Sequence, residues 1–369
     1  MSKKIESVLV IGLGKVGRLV GILLHESGFN VTGLDSESHE DLPFAVRQTN
    51  ATRRATLQKQ MRGHDAVVSC LPYHLNALVA ECAHAGGLHY FDLTEDVATT
   101  AAIRTMARKG KGVLAPQCGL APGYISIVGA ELAKTFKQLR SIELRVGALP
   151  QNPSGLLGYA FNWSPEGVVN EYLNDCDVIQ DGQRAQVPAM ENLETVVIDG
   201  VQLEAFSTSG GLGTMCETYD GKVERLNYKT IRYPGHNKLM RFFFNELHLR
   251  NDRKMAGEIL VHAKPPVNDD VVFVYAAVEG WRNQKLGRTE FVRSYYPRKI
   301  AGSHWRAISW TTAASVCAVV ELVSQGDLPQ SGFLKQETIP LDLFFKTKNG
   351  AMYDEKGSRS GTDFPEFEA

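Results

Sequence analysis

The chain is predicted to be an α/β protein: a parallel-sheet domain followed by a second α/β domain with a mixed or antiparallel sheet. Three observations predict this. At 369 residues the chain exceeds one ordinary core, so two domains are expected. Through residue 120, strand-like apolar runs alternate with helical periodicity. After about residue 120 the pattern shifts to alternation of apolar and polar residues.

The alternation begins with "SVLVIGLG", then "KVGRLVGILLHESG" at helical spacing, then the strand "FNVTGLD". "AVVSCL" (66–71), "LHYFDL" (88–93) and "GVLAPQCG" (112–119) continue it with helices between, as in βαβ units. Beyond "CGLAPG", strands are expected at 141–150, 201–209, 224–233, in "VVFVYAAVEGW" and in "TEFVRSYY". Residues 308–326 form a small-residue-rich helix, apolar around much of its circumference, stopped by Gly326 and expected to return to the first domain. The domains are thus 1–120 completed by 306–345, then 121–305, with a polar, loosely held tail at 346–369.

Composition sets limits. With 40 basic and 41 acidic residues the formal net charge is -1, so no overall field recruits nucleic acid or an acidic membrane. A small-molecule partner is expected instead. The start "MSKKIESVLVIG" lacks the apolar core of a signal peptide. The longest uninterrupted apolar run, "VVFVYAAV", suits a buried strand and not a bilayer span. Six scattered cysteines without a C-x-x-C pair argue against a metal site or disulfide framework and for a reducing cytoplasm.

Gly12, Gly14 and Gly17 have G-x-G-x-x-G spacing, and here the motif follows a strand and opens a helix. Gly12 permits the tight turn, Gly14 lets a pyrophosphate approach the backbone, and Gly17 lets helix and strand pack closely. Leu13, Lys15 and Val16 complete the loop, whose N–H groups and helix dipole suit phosphates. This is a Rossmann-type dinucleotide site. Asp35 ends the second strand, where a carboxylate binds both ribose hydroxyls and repels a 2′-phosphate. Its neighbours "SESHED" hold no arginine, so NAD is expected in preference to NADP, with FAD open. The alternative for Asp35 is an ordinary turn aspartate.

Ligands of such sheets bind at the carboxyl ends of strands. That places Leu71, Pro72 and Tyr73 of "SCLPYH", and Asp92, Thr94, Glu95 and Asp96 of "YFDLTED", near the nicotinamide end. For Glu95 and Asp96, helix capping and first-turn charge are equally good readings.

In the second domain, "LNYKTIRYPGH" packs Lys229, Arg232 and His236 together. Pro234 and Gly235 rule out a helix through all three. A strand to about Tyr233 places Lys229 and Arg232 on opposite faces, so only one of them is expected to face the site. A helix capped near Asn237 leaves His236 at its N-terminus, where the dipole favours a neutral imidazole suited to act as a base. Glu171 and Tyr172 of "EGVVNEY" are further candidate site residues, with a surface helix charge as the alternative for Glu171. "SGGLGT" (209–214) is a carboxylate nest or a flexible turn.

Taken together, "VLVIGLGKVG", "VVSCLPYH", "YFDLTED", "QCGLAPGY", "EGVVNEY", "TSGG" and "YKTIRYPGH" resemble the saccharopine dehydrogenase-like family over residues 7–325, with the greatest similarity to its lysine 6-dehydrogenases. The resemblance implies an NAD-linked amino-acid dehydrogenase, generally a homodimer through the second domain. It would oxidise the side-chain amine of lysine to the semialdehyde with release of ammonia. The alternatives are glutamate-forming oxidation of saccharopine and a non-catalytic NAD-binding protein. Glutamate-forming members typically carry an aspartate and a cysteine where this chain has Ala121 and Val146. In the late helix, where lysine enzymes tend to have an arginine before two threonines, Trp310 precedes Thr311. Without the resemblance, 226–236 reads as a solvated strand and turn; with it, His236, Lys229 and Asp92 become catalytic candidates, and Glu171, Tyr172, Arg232 and Thr311 substrate-binding ones.

Overall fold

The computed structural model describes residues 4–354. In chain order the elements are β1 (Ser7–Ile11), α1 (Gly17–Glu26), β2 (Asn30–Asp35), β3 (Ala45–Gln48), α2 (Arg54–Met61), β4 (Ala66–Ser69), α3 (Tyr73–Gly86), β5 (His89–Asp92), α4 (Val97–Met106), β6 (Val113–Ala115) and α5 (Tyr124–Ala133). Then come β7 (Gln138–Pro150), α6 (Pro165–Leu173), β8 (Cys176–Gln180), β9 (Gln183–Val187), β10 (Glu194–Ile198), β11 (Val201–Ser207), α7 (Met215–Thr218), β12 (Val223–Arg232), α8 (His236–Arg241) and α9 (Arg253–Ala263). The chain continues through β13 (Asp270–Arg282), β14 (Lys285–Tyr295), α10 (Ala307–Gln325) and α11 (Leu341–Lys346).

Two compact units result. The first comprises residues 4–127, Lys299–Trp305 and Ser309–Asp354; the second comprises Val128–Arg298 and Arg306–Ile308. The first division falls inside α5, later than the residue-120 boundary the sequence suggests.

Unit 1 is built on a seven-stranded parallel sheet in which the two-residue strand Gly332–Phe333 adds an edge next to β6, followed by β5-β4-β1-β2-β3. Its central strands are apolar on both sides, as a sheet covered on both faces requires. The order reverses direction at β1, which pairs with both β2 and β4. α10 is long and apolar enough to cross a membrane by length and composition, but 83% of that window is buried inside the protein.

The expected polar tail is folded through residue 354. The ring of Tyr353 stacks on Tyr124 with centroids 4.0 Å apart, and its hydroxyl donates to the Thr311 carbonyl. One aromatic anchor outweighs the polar composition around it. The rest of the expected tail, 355–369, lies outside the described residues.

Unit 2 carries an eight-stranded sheet. Its main path is β10-β11-β12-β7-β13-β14, with β8 pairing with β12 and β9 with β8. β12 and β7 are parallel and the other pairs antiparallel, so the sheet is mixed. The β8–β9 hairpin, too polar to stand out in the sequence, is an addition to the expected strands. The helix after "PG" starts at His236, one residue before the expected position, with Gly235 and not Asn237 at the cap. Glu204 provides its cap: the two carboxylate oxygens accept from Gly235 N at 2.8 Å and Asn237 N at 2.6 Å.

Candidate active site

The glycine loop of unit 1 has the geometry a pyrophosphate needs. Gly12 sits at φ +87°, a left-handed turn that favours glycine. A Cβ on Gly17 would lie 1.8 Å from the Gly12 carbonyl oxygen, so only glycine lets α1 approach. A Cβ on Gly14 would meet nothing within 4 Å and would project into open space that a ligand could otherwise fill. Leu13 is buried, Lys15 exposed and Val16 half-buried. These residues fit the dinucleotide the motif implies.

Asp35 accepts from Leu13 N at 2.5 Å and from Glu37 N at 2.9 Å. Burial pushes its pKa up, but the N–H groups of Glu37 and Leu13, with His39 nearby, outweigh that and hold it below the ordinary value. The carboxylate stays charged and is tied to the glycine loop.

At the carboxyl ends of β4 and β5 the predicted residues divide by role. Leu71 reaches within 3.0 Å of where a Gly12 Cβ would sit, Pro72 is exposed, and Tyr73 begins α3. Asp92 is wholly buried and fully used: it accepts from Tyr90 Oη at 2.7 Å, Thr94 N at 2.9 Å and Gln117 N at 3.0 Å. Burial raises its pKa to about 6. It braces two strand ends and presents no surface to a substrate, which corrects its expected catalytic role. Thr94 is buried within the same turn. Asp96 caps α4, accepting from Thr99 N at 2.7 Å. Gln117, which the sequence did not single out, is buried at φ 66°, a left-handed conformation uncommon for a side-chain-bearing residue.

In unit 2, β12 separates its two basic residues as a strand must. Lys229 pairs with Glu194, whose other oxygen accepts from Arg145 Nε at 2.5 Å; this network lies on one face of β12. Arg232 lies on the other face with α6 and α8. The structure therefore does not bring Lys229 to His236, which corrects its expected catalytic role: its ammonium is used in a structural ion pair.

Arg232 is 2% exposed. Its Nε donates to Tyr172 Oη at 2.7 Å, and its Nη1 donates to Thr230 Oγ1 at 2.5 Å and to the Ile231 carbonyl at 2.8 Å. The guanidinium stacks over the Tyr159 ring, 4.6 Å from its centroid. Tyr172 in turn meets His236 Nε2 at 2.9 Å, and His236 Nδ1 meets the Leu157 carbonyl at 3.0 Å. A carbonyl can only accept, so a neutral ring carries its hydrogen on Nδ1 and accepts the Tyr172 proton at Nε2. Burial, then the nearby Arg232 charge, lower the His236 pKa to about 3. The ring is neutral, as the sequence suggests, but burial rather than a helix dipole makes it so. With both nitrogens engaged and that pKa, it is not a general base for neutral pH.

Glu171 is buried on α6, near enough to Arg232 to favour its charged form. Ser164 caps α6 by accepting from Gly167 N at 3.1 Å, and Pro165 follows at the first helical position. "SGGLGT" is a buried turn in which a Cβ on Gly211 would strike the Tyr228 ring at 2.3 Å. Thr311 has no solvent-accessible surface, which removes it as a substrate contact in this structure. Trp310 is equally buried and packs against Tyr353 at 5.4 Å. Tyr159 was missed; the aromatic run "GYAFNW" is the signal that could have found it.

Comparison with known proteins settles the family. The "Saccharopine dehydrogenase NADP binding domain" model matches residues 8–115, and the "Saccharopine dehydrogenase C-terminal domain" model matches residues 119–346. The chain belongs to the saccharopine dehydrogenase family. Among curated members, the NADP(+), L-glutamate-forming saccharopine dehydrogenase of Schizosaccharomyces pombe is 26% identical over 147 residues, 38% of this chain and 33% of that protein. The corresponding Pyricularia oryzae enzyme is 28% identical over 204 residues, 52% of this chain and 45% of that protein. This chain thus spans less than half the length of these curated relatives. The apo saccharopine dehydrogenase (L-Glu forming) of Saccharomyces cerevisiae superposes with TM-score 0.75 at 15% identity, covering 96% of this chain and 98% of that one. That likeness confirms the two-part fold of the saccharopine dehydrogenase family.

Proposed function

We propose that this member of the family is an NAD-dependent amino-acid dehydrogenase that oxidises L-lysine at its side-chain amine, giving the semialdehyde and ammonia. The observation that carries the reading is the state of Arg232. Its guanidinium is buried, Nε and Nη1 are spent on Tyr172, Thr230 and the Ile231 carbonyl, and the nearby carboxylate, Glu171, acts on it only through its charge among the described contacts. A buried cation whose nearest help is that carboxylate is suited to take a further counter-charge from a ligand. Glu204 is directly opposite Arg232 across the β11–β12 pair, yet it is committed to the α8 backbone. Nη2 has no protein partner among the described residues, and it is not among the sealed, unsatisfied atoms, so it keeps contact with solvent. A substrate carboxylate fits that nitrogen.

The cofactor supplies the hydride acceptor; the chain must bind it, orient the substrate and remove a proton from the substrate ammonium. NAD is proposed over NADP because Asp35 stays anionic where a 2′-phosphate would lie, although the matching model and curated relatives carry NADP in their names. Lysine is proposed because Ala121 and Val146 replace the aspartate and cysteine of glutamate-forming members. The same reading carries a cytoplasmic homodimer.

The names of the relatives favour a second reading, oxidation of saccharopine to glutamate and the semialdehyde. The purified chain is mixed with NAD or NADP and a panel of lysine, ornithine, saccharopine and related amines, and reduced cofactor is followed. Ammonia as product supports lysine oxidation and glutamate supports the second reading. No reduction with any amine sinks both.

A further inference from the structure

Removing His236, Lys229 and Asp92 from the chemistry leaves the proton from the substrate without an acceptor. We propose that Glu95, in the loop leaving β5, faces the nicotinamide end of the cofactor site and takes that proton. The inference rests on the dehydrogenase reading above and adds the residue it lacks.

Position carries the argument. The glycine loop at the end of β1 takes the pyrophosphate, and Asp35 at the end of β2 lies on the adenosine side. The nicotinamide half must then run the other way, over β4 and β5. β5 is two strands from β1, about 10 Å at the usual strand spacing. Of the four polar side chains "DLTED" places there, Asp92 and Thr94 are buried in the turn and Asp96 caps α4. Glu95 is half-buried, and among the described residues its carboxylate has only its own backbone N–H as partner. Burial raises its pKa to about 7, and the charged groups facing it, Asp96 and Asp92, push the same way. A base near neutral pH is what the chemistry requires.

The step balances. The Glu95 carboxylate removes one proton from the R–CH2–NH3+ ammonium, freeing the nitrogen lone pair. That pair forms the C=N bond as the carbon loses hydride to the oxidised cofactor. The product is the iminium R–CH=NH2+, reduced cofactor and a protonated Glu95, which returns its proton to solvent. Water then hydrolyses the iminium to aldehyde and ammonium.

Binding tests the placement without turnover. An ionised Glu95 attracts the positive nicotinamide ring, so the Kd for NAD+ falls roughly five- to tenfold between pH 6 and 8 in the intact chain. In Glu95→Gln it stays flat, and ADP-ribose, lacking that ring, binds both proteins with one Kd. If Glu95→Gln keeps the pH dependence, or loses ADP-ribose equally, Glu95 is not at the nicotinamide and the proposal is overturned. Turnover tests the proton. In Glu95→Gln, kcat/KM falls about a hundredfold or more and its acid limb near pH 7 disappears, while Glu95→Asp recovers part. An unchanged limb overturns the role. A wild type inert toward every amine sinks the proposed function, while NAD+ binding still decides whether Glu95 faces the ring.

Discussion

The imidazole of His236 meets the hydroxyl of Tyr172 at 2.9 Å, and it meets it as an acceptor. That hydroxyl is thereby left to accept from Arg232 Nε. His236 is a positioning residue for Arg232. His236→Asn is expected to raise KM for the amino acid while changing kcat little, and to leave the pH profile of kcat intact. It also carries a stability signature. The folded pKa of about 3 lies below the unfolded value of 6.5, so the unfolded state binds the extra proton first as pH drops. The contribution is complete above pH 6.5 and is lost toward pH 3, with a ceiling of about 4–5 kcal/mol. Denaturant melts of wild type and His236→Asn at pH 7 and pH 4.5 check it: the acid-side loss should shrink in the variant. Equal losses would remove His236 as its source.

Arg232→Met removes the buried cation. The loss of a desolvated charge pair to the substrate is about 2–5 kcal/mol in transition-state binding, read as kcat/KM. Amines lacking a carboxylate should lose far less. Folding stability should fall as well, by about 1–3 kcal/mol, because Thr230 Oγ1 and the Ile231 carbonyl lose a buried donor. Equal losses for amines with and without a carboxylate would place the carboxylate elsewhere.

The parts of the site that follow from local rules were legible in the sequence. Gly12, Gly14, Gly17 and Asp35 are a turn, a close approach and a strand end, all written within 24 consecutive positions. The split of Lys229 from Arg232 follows from strand alternation alone. Which of the two lies with Tyr172 and His236 does not, because it depends on the face of β12 that packs on α6. The burial of His236 was equally hidden: the sequence shows a histidine before a helix but not the Leu157 carbonyl or the Tyr159 ring beside it. Asp92 misled because a carboxylate at a strand end looks the same whether it serves chemistry or, as here, holds Thr94 and Gln117 in place.

The ion-pair network on the other face of β12 is structural. Glu194→Gln leaves Lys229 and Arg145 as buried cations without their shared carboxylate. The expected loss is about 2–3 kcal/mol, below the figure for a sealed pair because the Glu194 side chain is 34% exposed. Lys229→Met should cost less, since Arg145 still neutralises Glu194. Both variants should keep wild-type kcat per folded molecule. Thermal melts paired with turnover at a temperature where both are folded make the check. A large loss of kcat in Lys229→Met would return Lys229 to the mechanism.

Asp35→Ala removes a charge that the Glu37 and Leu13 N–H groups stabilise and that would meet the adenosine ribose. Two losses combine. The ribose hydroxyls lose a charged acceptor, worth about 1.5–3 kcal/mol, and Leu13 N loses the contact that holds the glycine loop to β2. NAD affinity should therefore fall at least tenfold. NADP affinity should fall less or rise, because the repulsion of its 2′-phosphate is relieved. Asp35→Asn separates the two causes: it keeps an acceptor for Leu13 N while removing the charge, so it should recover loop geometry but not discrimination against NADP. Calorimetric titration of both cofactors into the three proteins reads this directly, and an unchanged NAD-to-NADP ratio across them would take Asp35 away from the ribose.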